Sequence, residues 1–220
     1  DYKVKLNQFV NAGYVNMFFP AGEKWDLNAG VRAENSNREI KYREQGDPFG
    51  SPYRTKTDDK LDILPSVNAK YLLNENSNLR ASVAKTITRP VAMELLPINY
   101  INADATSESG NPNLLNSENY NADIKYEVFP NSKELFAVGV FGKMINDPIE
   151  RVFKPTANSG GQITTFKNSE QAIIFGAEIE VLYQLSRINE SLSNFSFGFN
   201  TSIMSTDVTI DIKKQGNELE

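Results

Sequence analysis

The chain has 220 residues, 40% apolar and 23% charged, with 23 Lys and Arg against 28 Asp and Glu for a formal charge of -5. That is too apolar for a disordered chain, and scattered basic residues in an acidic chain offer no phosphate-binding surface, so no nucleic-acid partner is expected. With 0 Cys and 0 His, disulfides, thiol nucleophiles, Ser-His-Asp triads and ordinary zinc or haem sites are excluded together.

No segment sustains a helical period, and no run of about 18 apolar residues occurs, so a membrane-spanning helix is not expected. Two-residue alternation recurs instead. Residues 9–19 are strand-like, with faces that the sequence leaves ambiguous. "WDLNAGVRAE" then sets Trp25, Leu27, Ala29, Val31 and Ala33 against Asp26, Asn28, Gly30, Arg32 and Glu34. "SVNAKYLL" opposes Val67, Ala69, Tyr71 and Leu73 to Ser66, Asn68 and Lys70, and "LRASVAKT" opposes Leu79, Ala81 and Val83 to Arg80, Ser82 and Thr86 until Lys85 breaks the apolar face. In "YNADIKYEVF" the apolar set is Ala122, Ile124, Tyr126 and Val128, and in "LFAVGVFGKM" it is Phe136, Val138 and Val140, with Phe141 on the polar side. "IIFGAEIEVLYQ" and "FSFGFNTSI" complete the series, with Glu178 and Glu180 on the polar face of the first and Phe195, Phe197 and Phe199 on the apolar face of the second. The expected fold is all-β, an antiparallel up-and-down meander of about eight strands.

The connections alternate short and long. "PAGEK", "NENSN", "PNSKE" and "RINESLSN" carry the Gly, Pro, Asn and Ser that tight turns need, whereas residues 43–61, 91–119 and 150–171 read as long loops. Membrane β-barrels show this asymmetry, with short turns on the periplasmic side and long loops outside. Aromatics gather where the short turns meet the strands: Phe18, Phe19, Trp25, Tyr71, Phe129, Phe136, Tyr183 and Phe195. Amphipathic rings are most stable at headgroup level, so the cluster reads as an interfacial girdle. A closed sheet in hydrocarbon turns its apolar face to lipid and its polar face to a lumen, where Arg32, Glu34, Asp123, Lys125, Glu127, Glu178 and Glu180 are tolerated. The meander is therefore expected to be part of a larger transmembrane β-barrel in the outer membrane of a Gram-negative bacterium, in contact with outer-membrane lipid.

Candidate ligand-binding residues are Tyr53, Arg54, Arg89, Glu94 and Tyr100. Tyr53 and Arg54, with Phe49, are expected at a loop tip, where an aromatic ring beside a guanidinium stacks on a sugar or aromatic ligand. Arg89-Pro90 ends a strand, and a lumen-facing Arg89 is expected to pair with Glu94 or with a carboxylate of a plug, while Tyr100 lies in the same long loop. "SGNPNL" (109–114) reads as a turn that restarts the next strand. Asp58, Asp59 and Asp62 in "TDDKLD", and Asp104 and Glu108 further on, lack calcium-loop spacing and read as solvated acidic loops, so no metal or other cofactor is assigned. Glu178 and Glu180 lie along one strand without the opposed geometry a glycosidase needs, and no catalytic residue is assigned.

"NSNLRASVAKTITRPVAMELLPINY" (76–100) and "GNPNLLNSENYNADIKYEVFPNSKELFAVGVFGKMINDPIE" (110–150) resemble the barrel of TonB-dependent outer-membrane receptors, especially those of Bacteroidetes-type organisms. The positions that carry the likeness include Asn78, Arg80, Arg89, Pro90, Glu94, Gly110, Asn111, Pro112, Tyr126, Glu127, Pro148 and Glu150, with support from "KWDLNAGVRAENSNREIKY", "LPSVNAKYLL" and "FGAEIE". The resemblance implies a plugged barrel of about 22 strands, of which residues 1–220 form a part, the plug and the outer strands lying elsewhere in the full-length chain. It implies as partners the plug domain, TonB, and an extracellular small-molecule or glycan ligand bound for import. No TonB box, signal peptide or closing terminal strand is found, and the residues "DYKVKLNQFV" and "KKQGNELE" at the ends read as those of an excised piece. The competing expectations are a soluble β-sandwich or adhesin-like binding module of the envelope and, more remotely, a barrel-bodied hydrolase; the first would bury the apolar faces against a second sheet.

Overall fold

The computed structural model describes residues 4–43, 47–101, 107–155 and 162–209. Its elements are β1 (Lys5–Ala21), β2 (Trp25–Tyr42), β3 (Arg54–Asn74), β4 (Ser77–Thr88), a single helical turn α1 (Ala92–Leu95), β5 (Asn99–Ile101), β6 (Ser107–Ser109), β7 (Ser117–Val128), β8 (Leu135–Asn146), β9 (Ile149–Pro155), β10 (Gln162–Asn168), β11 (Gln171–Gln184) and β12 (Ser196–Thr209). Eight strands form one sheet in the order β1-β2-β3-β4-β7-β8-β11-β12, every pair antiparallel, and β5-β6-β10-β9 form a small second sheet.

The register carries the alternation across the whole wall. One row runs Phe19, Leu27, Ala69, Ala81, Ile124, Val140, Ala177, Ile203, each the partner of the next. The row one residue over runs Asp26, Lys70, Arg80, Lys125, Gly139, Glu178, Ser202. Because a one-residue slip would exchange the faces, this agreement over so many pairs specifies the sheet. The register also settles β1, where Val15, Met17 and Phe19 share the face of Val31, Ala29 and Leu27.

The apolar face is bare. Ile124 is 52% exposed, Val138 49%, Phe175 59%, Ile179 47% and Phe197 52%, and among the described residues no second sheet covers them, so the soluble sandwich expected as the alternative is not favoured. Trp25 and Tyr71 pack with tilted rings 4.7 Å apart between centroids, and Phe136 meets Tyr183 edge-on at 6.3 Å, both at the short-turn end.

Two boundaries differ from the sequence expectation. β3 begins at Arg54, inside the stretch 43–61 expected as loop, and runs 21 residues. A membrane crossing takes only about 9–11 residues, so the upper parts of β2 and β3 stand clear of hydrocarbon, where polar residues on both faces hide the strand period. The loops 91–119 and 150–171 likewise contain structure, since β6 pairs β10 and ties the two together. The hydrophobic cluster sits there and not in the wall: Ile40 and Tyr42 on the polar-face parity of β2 pack with Leu95, Leu114 and Phe166, and Leu6, Leu96 and Ile149 border them.

Candidate ligand vestibule

The polar face of the sheet is lined by cross-strand ion pairs. Near the short turns Lys70 lies 3.7 Å from Asp26, Arg80 is 2.7 Å from Glu127, and Lys125 is 3.0 Å from Glu180 and 3.9 Å from Glu127. Ser82 donates to Asp123 at 2.6 Å. Lys70 and Arg80 each face an anion on the neighbouring strand, the pairing that an antiparallel ladder stabilises most directly, while Lys125 reaches past β8 to Glu180 on β11.

Higher up, Arg89 Nη2 lies 2.7 Å from Glu34 and 3.5 Å from Asp62, and Arg32 joins Glu34 as well. Lys60 lies 3.5 Å from Asp62 and 3.0 Å from Glu118, which Lys85 meets at 2.8 Å. Asp62 is 2% exposed and Glu34 8%. The expectation that Arg89 pairs with Glu94 therefore fails. Pro90 ends the strand, Glu94 turns back to accept from the Val91 N–H at 2.9 Å at the start of α1, and Arg89 points to β2 and β3. The acidic stretch 58–62 is no solvated loop either: Asp58 holds Arg38 at 3.0 Å, Asn37 donates to Asp59, and Asp62 is buried.

Above the ion pairs a roof folds over the polar face. Arg38, 6% exposed, donates to the Leu114 carbonyl at 2.9 Å, which ties β2 to the loop before β7. Asn111 donates to the Phe166 carbonyl at 2.9 Å, and Asn168 donates to the carbonyls of Leu115 and Asp147, at 3.2 and 2.8 Å. Gly110 is what lets the roof close. A Cβ there would lie 2.4 Å from the Leu96 carbonyl oxygen and 2.6 Å from that of Met93, so "SGNPNL" does more than restart a strand: it packs backbone against backbone under α1.

The five candidate residues fall in different places. Tyr53, 41% exposed, lies beneath the Arg43 guanidinium at 4.3 Å, and Arg54 opens β3 with its own guanidinium 3.4 Å from Asp47; Phe49 is 96% exposed at the turn beside them. Tyr100 is in β5 opposite Glu108, which is buried and bridged by Arg151. Arg89 belongs to the ion network, and Glu94 to the cap of α1. Arg54 is thus a strand residue and not a loop tip, and the guanidinium over Tyr53 is that of Arg43, which the sequence reading did not single out. Asp104 and most of "KPTANSGGQ" lie outside the described residues. Among the described residues no group of three or more Asp or Glu is arranged to hold a metal.

A wall with one lipid-exposed apolar face, one ion-paired polar face and short turns at one end is the geometry of a membrane barrel. The family model described as "Outer membrane protein beta-barrel family" matches residues 1–219. The chain belongs to that family. It is a part of the wall of a Gram-negative outer-membrane barrel. No curated protein matches the chain. Among solved structures it is similar to the siderophore receptor PirA of Pseudomonas aeruginosa, with a TM-score of 0.59 at 17% identity over 94% of this chain and 44% of that one. It is also similar to the copper transporter OprC (0.63, 17%, covering 81% and 26%) and to the Serratia marcescens hemophore receptor HasR, solved with HasA and heme (0.60, 14%, covering 80% and 32%). The chain spans less than half the length of each of these family-like barrels.

Proposed function

We propose that the chain is wall and roof of a TonB-dependent outer-membrane receptor that binds an extracellular nutrient and imports it without making or breaking bonds. One observation supports this above others: two long loops are knitted by β6 and β10 into a roof over a polar wall rich in ion pairs, an arrangement suited to holding a ligand above a lumen. The structural neighbours are receptors or transporters for siderophores, copper and a heme-carrying hemophore, which favours transport over catalysis. In this reading residues 1–220 are a contiguous part of the barrel domain, and the plug domain, the contact with TonB and the remaining strands belong to the rest of the full-length chain.

Tyr53, Arg54 and Tyr100 are the proposed ligand contacts, Phe49 adding an exposed ring beside the first two. Arg89 and Glu94 act on the ligand through the roof they anchor at the end of β4. The test is uptake by cells carrying the full-length gene, with and without functional TonB, of ferric enterobactin, heme, copper and oligosaccharides supplied singly. Accumulation of one cargo that needs both the gene and TonB, and that weakens in Tyr53→Ala or Tyr100→Ala, is the expected result. Equal accumulation of every cargo in the presence and absence of the gene would overturn the transport reading.

A further inference from the structure

The wall has a seam between β3 and β4. Their ladder runs from the short turn up to Ser66 and Ala84 and stops there, although β3 continues paired with β2 as far as Arg54, and β4 with β7 as far as Thr88. The reason is in the sequence. Leu72 N–H donates to the Lys24 carbonyl at 2.7 Å, so even-numbered residues of β3 turn their backbone groups to β2 and odd-numbered ones to β4. Pro65 is odd. It stands at the next rung with no N–H to give to β4, and above it no strand among the described residues pairs with that side of β3.

Side chains cross where the backbone ladder ends. Lys60 and Asp62 share the polar face of β3 with Lys70 and Asn68, whereas Glu118 shares the apolar parity of β7 with Ile124 and Tyr126, and Lys85 that of β4 with Leu79 and Ala81. Residues of opposite parity on sheet-paired strands point to opposite sides of a wall, yet Lys60 reaches Glu118 at 3.0 Å, and Glu118 reaches Lys85 at 2.8 Å. The pair passes through the gap. Arg89, just past the end of β4, crosses the same gap to Glu34 on β2 and Asp62 on β3. Both Asp62 oxygens and the Arg89 Nε are buried without a hydrogen-bond partner, so the crossing groups are held by ion contacts and are not locked into a complete hydrogen-bond network.

We propose that this seam is an ion-latched joint: the β2–β3 hairpin above Pro65 parts from β4 as a unit, opening a slot in the side of the barrel above that point, while the ladder below Ser66 stays closed. Lys60–Glu118 and Arg89 with Glu34 and Asp62 are the latch, and Pro65 is the stop that sets where parting ends. The joint follows from register and charge alone and does not depend on the identity of any cargo.

Spin labels test it in the full-length protein, reconstituted in phosphatidylcholine vesicles, with any cysteine outside this stretch replaced by serine. One pair is placed at Ile63→Cys and Ile87→Cys, three residues above Ser66 and three beyond Ala84, and a control pair at Val67→Cys and Val83→Cys, which are direct partners. With Glu118→Gln and Arg89→Gln together, the upper distance distribution is expected to move outward and broaden while the control pair stays unchanged. Raising salt to roughly 1 M, where the screening length falls to about 3 Å, should act in the same direction on the unmodified latch. Pro65→Val restores the N–H and should narrow the upper distribution toward the control, so the idea remains testable if the double variant folds poorly. An upper pair that ignores latch removal and salt overturns the joint, as does a control pair that loosens equally, or a Pro65→Val variant that leaves the distribution as it was.

Discussion

Ile124 and Glu178 give the sharpest test of which face meets lipid. Each lies five residues from a girdle aromatic, 129 - 124 for Phe129 and 183 - 178 for Tyr183, so the two stand at matched depth on opposite faces. Five residues at about 3.4 Å each cover about 17 Å along a strand, and a tilt of about 45° leaves about 12 Å along the bilayer normal. The apolar band of an outer-membrane barrel is about 25 Å tall, which puts both positions near its middle. An arginine on the lipid face there costs about 2–4 kcal/mol. On the lumen face it stays hydrated, so Glu178→Arg should cost at most about 1 kcal/mol, in the range of a lost polar contact. The assay is guanidinium titration of the full-length protein folded in lipid vesicles, with the heat-sensitive gel mobility of folded barrels as the signal. Ile124→Arg should lower the midpoint clearly and Glu178→Arg hardly at all. Costs within about 0.5 kcal/mol of each other, well under the gap expected from depth, would refute the assignment of faces.

Gly110→Ala should force the loop before β7 away from α1, because its Cβ would meet the Leu96 and Met93 carbonyl oxygens. A cost of about 1–3 kcal/mol is expected, read as faster proteolysis and hydrogen exchange in residues 91–116 with the wall unaffected. Glu134 has no exposed side-chain surface; it holds Arg187 through Nε and Nη2, and accepts from Asn131 Nδ2 and the Gln184 N–H. Glu134→Ala strips the partners from both short turns and should destabilise the barrel by about 1–3 kcal/mol in the same titration. Phe141 lies across Gly176, its ring 2.6 Å from where a Cβ would sit; aromatic cover of a strand glycine is a recognised support, so Phe141→Ala should lower the midpoint, and Gly176→Ala should do so too, through overlap with the ring.

The wall was legible in the sequence because the bilayer enforces it. Trp25 to Ala33, Val67 to Leu73 and Ala122 to Val128 each keep one parity apolar, and the register joins those parities up to the irregularity between Leu72 and Asn74 at the short turn. Above the membrane that enforcement ends. "RTKTDDKLDIL" is strand on hydrogen-bonding grounds alone, paired to β2 from Arg54 onward, and its polar residues on both faces leave no period to read. The roof was hidden for another reason. Ile40, Leu95, Leu114 and Phe166 come together from segments far apart in the chain, and a four-residue α1 or a three-residue β6 is too short to register as periodic. Arg89 was recognisable as a strand-ending charge, yet its partners Glu34 and Asp62 follow from register, which no local pattern supplies.

The ion pairs also bear on where selectivity resides. Along the wall the charges of Asp26, Arg80, Lys125 and Glu180 are each met by an opposite charge no more than two strands away. Paired charges act on a distant solute as dipoles, whose field dies away faster than that of a lone charge and is weakened further by salt. A solute in the lumen therefore meets a wall with little net electrostatic preference, whereas the loops above it offer exposed rings at Phe49, Tyr53 and Phe153, with the Arg43 guanidinium over Tyr53. On the proposed transport function, discrimination between ligands is expected of these loops and not of the wall. Neutralising one member of a wall pair, as in Lys125→Gln, should leave Glu180 unbalanced and raise uptake of cationic solutes relative to anionic ones, while Tyr53→Ala should weaken binding without changing that charge preference. A Lys125→Gln variant of the full-length protein whose charge preference is unaltered in TonB-dependent cell uptake of matched cationic and anionic sugars would show that the wall's pairing has no part in selection.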